Sequence, residues 1–131
     1  MLNCLAVGLG GFVGSVCRYL MGLLPLGRDW AFPIRTFAIN LFGAFAIGAI
    51  TALAVKRADL DPRLVLFLKA GVCGGFTTFS AFSLETLALL EEGKVALGAL
   101  YAGGSVVACV LGVAAGRLVL RTAVSAMSAS A

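Results

Sequence analysis

The sequence predicts an all-α membrane protein with four transmembrane helices in one domain, the third helix broken mid-membrane. Three observations carry that prediction. Of 131 residues, 61% are hydrophobic and only 12% are charged, whereas a soluble domain carries about 25% charged residues. A chain this short buries only about two thirds of its surface on folding, so a soluble version needs much more polar surface than this. The uncharged residues also fall into four long runs: Met1–Cys17, Thr36–Val55, Ala70–Leu84 and Val95–Gly116. A spanning helix needs about 20 mostly apolar residues. Extended over their apolar flanks, the runs become spans at about 2–24, 35–55, 63–90 and 95–120, with three short polar connections.

Span one holds Gly10 and Gly14 on one face. Small residues at four-residue spacing let helix backbones approach closely where lipid gives no hydrophobic drive for association. The span lacks a basic n-region, and Arg18 and Tyr19 stand where a small-residue cleavage site belongs, so it is expected to remain as a span. Span two repeats the stripe with Ala44, Gly48 and Ala52, and adds one strongly polar residue, Asn40, a turn from Thr36. Asparagine in a membrane helix is either interhelical glue or a source of two N–H donors toward a cavity. Both readings stand on the residue alone.

Span three reads Gly71-Val72-Cys73-Gly74-Gly75-Phe76-Thr77-Thr78-Phe79-Ser80-Ala81-Phe82-Ser83. A glycine pair followed by two β-branched residues is poor helix sequence. A break at that depth is tolerated only when buried in protein or facing a water-filled path, and such breaks aim carbonyls at cations or half-helix N-termini at anions. The other reading is a kink without ligand. Phe79 and Phe82 share a face of the restarted helix, as core residues or as something more. Glu85, three residues on, is the one acid well inside a span, and an intramembrane ionisable residue is a functional candidate by default. Span four carries Tyr101 and Ser105 one turn apart, and a stripe of Gly104, Ala108, Gly112 and Gly116. These stripes imply tight packing and an oligomer, because four short helices barely enclose a site alone.

Charge and cysteine add the remaining constraints. Lys56, Arg57, Arg63, Arg117, Arg121 and Lys69 fall on one side, and Arg28, Arg35, Lys94 and Arg18 on the other. Six against four is a weak orientation bias. It fits an inside N-terminus, and it fits a chain that inserts both ways and pairs antiparallel. Cys4, Cys17, Cys73 and Cys109 show no CxxC pairing and read as small packing residues. Histidine is absent, which removes the commonest general acid–base group and metal ligand. No nucleophile–base pair appears, so no enzyme is expected. The polar atoms inside the membrane are mostly amide and hydroxyl donors, a set that suits a small dehydrated anion better than a proton-coupled cation.

Three segments resemble the Fluc (CrcB) fluoride channels: Gly10-Gly11-Phe12-Val13-Gly14 running to Arg18-Tyr19, Thr36 to Gly48 with Asn40, and Gly71 to Ser83 with Thr77-Thr78-Phe79-Ser80. The four-span length matches over the whole chain. The resemblance implies an antiparallel, dual-topology homodimer in the bacterial inner membrane, with lipid around it and no nucleic acid partner. It implies passive, fluoride-selective export that protects the cell from fluoride. Phe79 and Phe82 then match the phenylalanines whose ring edges line the pore, and Asn40 the asparagine that donates to fluoride. Ser80, Ser83, Tyr101 and Ser105 match a polar track along the opposite wall, with Thr36 and Glu85 at pore-side positions. Gly74 and Thr77 match positions whose backbone carbonyls hold a structural sodium ion at the dimer centre, and Arg18 a vestibule arginine. Ala81 stands where many members have threonine, and Cys109 where some have another hydroxyl.

The implied chemistry is consistent from below. Fluoride holds its water tightly, so a pore must replace that water with donors. A phenyl ring has a positive edge that solvates an anion without a fixed charge to trap it, and conduction needs binding weak enough to release. Hydrogen fluoride enters a cell as a neutral acid and dissociates, and a potential negative inside drives the anion out at about 2.3 kcal/mol per 100 mV. Two rival classes are distinguishable. A small dual-topology multidrug exporter wants a carboxylate in span one, and Met1–Cys17 holds none. A noncatalytic assembly subunit leaves the Asn40, Phe79, Phe82 and hydroxyl set without a purpose.

Overall fold

In the computed structural model, which describes residues 1–57 and 59–129, four helical segments are long and apolar enough to cross a membrane. They are α1 (Leu2–Leu23), α2 (Ile34–Lys56), an interrupted third span (Pro62–Glu91) and a final long helix. The third span consists of α3 (Pro62–Leu66), a π-helical stretch (Phe67–Cys73), α4 (Gly74–Phe76) and α5 (Phe79–Glu91). The last helix, α6 (Val95–Ala129), has 35 residues. It continues past 120, where hydropathy alone would end it, because Arg121, Ala123 and Ala126 are good helix formers once out of the apolar region.

Local chemistry sets the boundaries. Leu24 is extended after α1, and Pro25 behind it disfavours helix at that position. Arg35 donates to the carbonyls of Leu26 and Gly22 at 3.0 and 3.3 Å, fastening the first connection to the end of α1. The Asp61 carboxylate accepts from the Arg63 N–H at 2.8 Å, and Pro62 occupies the first helical position where its missing N–H costs nothing. Gly93, at φ +74°, takes the left-handed turn that ends α5. Its N–H and that of Lys94 return to the Leu90 and Leu89 carbonyls.

The spans pair by close backbone approach. α1 runs parallel to the third span: Gly10 lies against Phe67 and Gly71, and Gly14 against Val72 and Phe76. A methyl on Gly14 would collide with the Val72 carbonyl, so glycine is required there. α2 runs parallel to α6, with Gly112 against Leu41, Gly116 against Phe45, and Lys56 Nζ donating to Ser125 Oγ at 2.8 Å. Gly104 faces open space, so the α6 stripe packs on α2 through its later members. The two parallel pairs give an up-down-up-down arrangement. One end collects Lys56, Arg57, Arg63, Arg117 and Arg121, and the opposite end Arg28, Arg35 and Lys94. The buried core is small, and Tyr101 is the one large side chain wholly withdrawn from the surface among the described residues.

Candidate functional site

The helix break lies at Thr77 and Thr78, the β-branched pair after the glycines in the stretch that the sequence marks as poor helix, and α5 starts at Phe79. Gly74 and Gly75 stay helical, and Gly75 packs against the Gly11 backbone. Thr77 and Thr78 are both extended. The Thr78 hydroxyl then caps α5 by accepting from the Ala81 N–H at 3.2 Å, a standard role for threonine at a helix start. The π-helical stretch immediately upstream has no counterpart in the sequence reading, and single π turns frequently mark functional sites.

Asn40, from α2, straddles the break. Its Oδ1 accepts from the Thr78 N–H at 2.8 Å, and its Nδ2 donates to the Thr78 carbonyl at 3.1 Å. One side chain thus bonds both backbone groups of a residue that leaves the helix, and the second Nδ2 hydrogen has no partner among the described residues. Asn40 is therefore glue and donor at once.

Beside the break opens a cavity of about 410 Å³. Asn40, Gly74, Thr77, Thr78, Phe79, Phe82, Ser105 and Cys109 line it, together with the apolar Ala44, Ile47, Cys73 and Val113. Phe79 and Phe82 stand 5.5 Å apart between ring centroids, inclined at 39°, within the separation at which rings interact edge-on or offset. Phe79 is 78% exposed. Ser105 is buried at 4% exposure, and its hydroxyl has no partner within the protein. Buried polar atoms are nearly always hydrogen-bonded, which sets Ser105 apart among the described residues.

Glu85 sits in a separate cluster next to the rings. Thr36 Oγ1 donates to Glu85 Oε1 and Tyr101 OH donates to Oε2, each at 2.7 Å. No cation pairs with Glu85 among the described residues. Phe82 lies 5.2 Å from the Tyr101 ring, linking the cluster to the phenyl pair. Phe32, which the sequence reading passed over, packs edge-on to Tyr101 at 5.3 Å. It precedes α2 in an irregular stretch, and nothing in its spacing marks it.

The structure does not bring every expected residue into the cavity wall. The Ser83 hydroxyl donates to its own helix at the Phe79 carbonyl, 2.8 Å away. Ser80 meets Thr78 Oγ1 at 3.3 Å, and Tyr101 faces Glu85. Of the four residues expected in the polar track, Ser105 alone lines the cavity. Arg18 reaches the break itself, its Nη1 donating to the Thr77 carbonyl at 3.3 Å. Thr78, missed as a functional residue, holds the site together. Its signal was a hydroxyl residue directly before an apolar helical run.

The break also offers carbonyls. The Thr78 N–H, which would be the helical partner of the Gly74 carbonyl, is given to Asn40 instead, and the Thr77 carbonyl carries only the long bond from Arg18. Neutral carbonyl oxygens are the donor type a hard cation takes. No group of three or more His, Cys, Asp or Glu that could hold a metal occurs among the described residues. The donor set fits sodium and does not fit a transition metal.

Comparison with known proteins agrees in kind. The family model described as CrcB-like protein, Camphor Resistance (CrcB), matches residues 5–117. A "Fluoride-specific ion channel FluC" of Ruminiclostridium cellulolyticum is 42% identical over 126 residues, 95% of this chain and 97% of that protein. Proteins of the same name from Chlorobaculum tepidum and Rhizobium meliloti are 48% and 44% identical. The first covers 80% of this chain and 83% of its own length, the second 95% and 100%. With the break, the phenyl pair and the asparagine clamp inside the matched region, the chain belongs to the CrcB family.

Proposed function

We propose that this chain forms a passive, fluoride-selective channel in the bacterial inner membrane. The observation that supports the reading is the gathering of Asn40, Ser105, Phe79 and Phe82 around one cavity beside the helix break. Each is neutral, and each presents positive character to an anion. The names of the relatives support fluoride as that anion and a channel rather than an enzyme. Fluoride leaving water meets the donors of Asn40 and Ser105 and passes the phenyl edges. None of these groups carries a charge that would hold it. Arg18, anchored at the break, adds positive potential without entering the path. Glu85 has both oxygens accepting from hydroxyls. Its carboxyl group orients Thr36 and Tyr101.

A second copy completes the site. Phe79 stands exposed beside a cavity open on one side, and an antiparallel partner covers that face and supplies a second pore. The charge count, nearly balanced between the two ends, allows both orientations. At such a two-fold centre, Gly74 and Thr77 of each copy would contribute four carbonyl oxygens to a sodium ion. The ion supplies positive charge that offsets anion repulsion and ties the protomers together.

The test is fluoride efflux from vesicles containing the purified protein, with chloride as control. Efflux of fluoride but not chloride is expected, and it should vanish in Phe79→Ile and Asn40→Asp proteins that remain monodisperse. Undiminished efflux in both variants would sink the pore assignment.

A further inference from the structure

The C-terminal part of α6 carries a groove that shares Val110 and Val113 with the wall of the channel cavity and continues past it to Ala114, Arg117, Leu118 and Arg121. α6 begins at Val95 directly after the Gly93 turn. At about 1.5 Å per residue, Arg117 lies about 33 Å along the helix, at the far edge of a hydrocarbon layer about 30 Å thick. Arg121 is one turn further out. Both arginines line a groove of about 550 Å³, whose remaining walls are Val110, Val113, Ala114 and Leu118. The groove is thus apolar where lipid tails lie and doubly cationic where headgroups lie.

Neither guanidinium has a hydrogen-bond or ion-pair partner among the described residues. The carboxylates at this end of the molecule are already engaged, Asp59 with Arg57 at 3.2 Å and Asp61 with the Arg63 N–H. Lys56 donates to Ser125 on α6, which braces the overhanging helix against α2. Two adjacent guanidiniums offer the planar donors that phosphate oxygens accept in pairs. A basic pocket at the membrane edge is the pattern by which proteins hold anionic headgroups. We propose that the outer part of this groove is a binding site for one anionic phospholipid, its phosphate on Arg117 and Arg121 and an acyl chain along Ala114 and Leu118. The proposal rests on the membrane reading of α6 and not on the fluoride pore, so its failure leaves the efflux test untouched.

The experiment measures thermal unfolding of the full chain in detergent, with added phosphatidylglycerol or phosphatidylcholine, and identifies retained lipid by mass spectrometry. Phosphatidylglycerol should raise the unfolding midpoint and be retained, while phosphatidylcholine should do neither. R117Q/R121Q should lose about tenfold or more of the preference, and R117K/R121K should keep part of it. Ala114 is exposed, so Ala114→Trp fills the groove without touching α2 and should abolish the response with both charges in place. An equal response in wild type and R117Q/R121Q would overturn the proposal. Inorganic phosphate alone reproducing the effect would also overturn it, since the pair would then bind a free anion. So would loss of dimer in Ala114→Trp with the lipid response kept, because a second copy would then occupy the groove.

Discussion

Asn40 holds Thr78 by both ends of its amide, and at the scale of single residues this contact decides how the site responds to change. Asn40→Asp puts a carboxylate oxygen against the Thr78 carbonyl, replacing a donor with a second acceptor. It should cost about 1–3 kcal/mol of stability, the usual penalty for a buried group left unpaired, besides placing an anion beside the proposed ion path. Ser105 should behave in the opposite sense. Its hydroxyl has no partner in the protein, so Ser105→Ala should leave the unfolding midpoint unchanged or slightly raised while slowing fluoride efflux about tenfold or more. Ser105→Thr, which keeps the hydroxyl, should conduct. The phenyl pair was legible in the sequence because residues three apart on a helix must meet. The Asn40–Thr78 pair was not, because it joins positions on different helices whose relative register no local pattern encodes. The same holds for Thr36 and Tyr101, one turn from Asn40 and Ser105 on their own helices, whose hydroxyls meet at Glu85.

At the scale of helices, the contact of α1 with the π stretch sets tolerance. Gly14→Ala drives a methyl into the Val72 carbonyl, a backbone atom that cannot step aside. Overpacking of this kind typically costs about 1–3 kcal/mol, and the variant should show a lowered unfolding midpoint and poor yield. Gly104→Ala, facing open space, is the matched control and should be neutral. The spans and the glycine stripes follow from hydropathy and spacing, which are local properties. The weak stretch from Gly74 to Thr78 and the restart at Phe79 are legible too. Which of its residues leave the helix is not: Gly75 packs on Gly11 of α1 and stays helical, while Thr77 and Thr78 are extended. The π turn is hidden for a similar reason, since it arises from fitting the third span against α1.

For the whole molecule, the proposed dimer covers the exposed Phe79 and the cavity beside it, and the proposed sodium site would make that dimer ion-dependent. Replacing sodium by a large organic cation during purification should shift the protein from dimer toward monomer on size exclusion and lower efflux in parallel. Indifference to sodium would leave Gly74 and Thr77 as parts of a simple break. The asparagine clamp also has a consequence for biogenesis. In hydrocarbon an unpaired backbone N–H or carbonyl costs several kcal/mol, and Asn40 bonds both such groups of Thr78. A third span inserting before α2 docks is therefore most stable as an uninterrupted helix. The interruption is written into the chain as a late event, made when two already inserted segments meet. An Asn40→Leu protein should insert all four spans, fold compactly and lack the discontinuity on which the anion path is built.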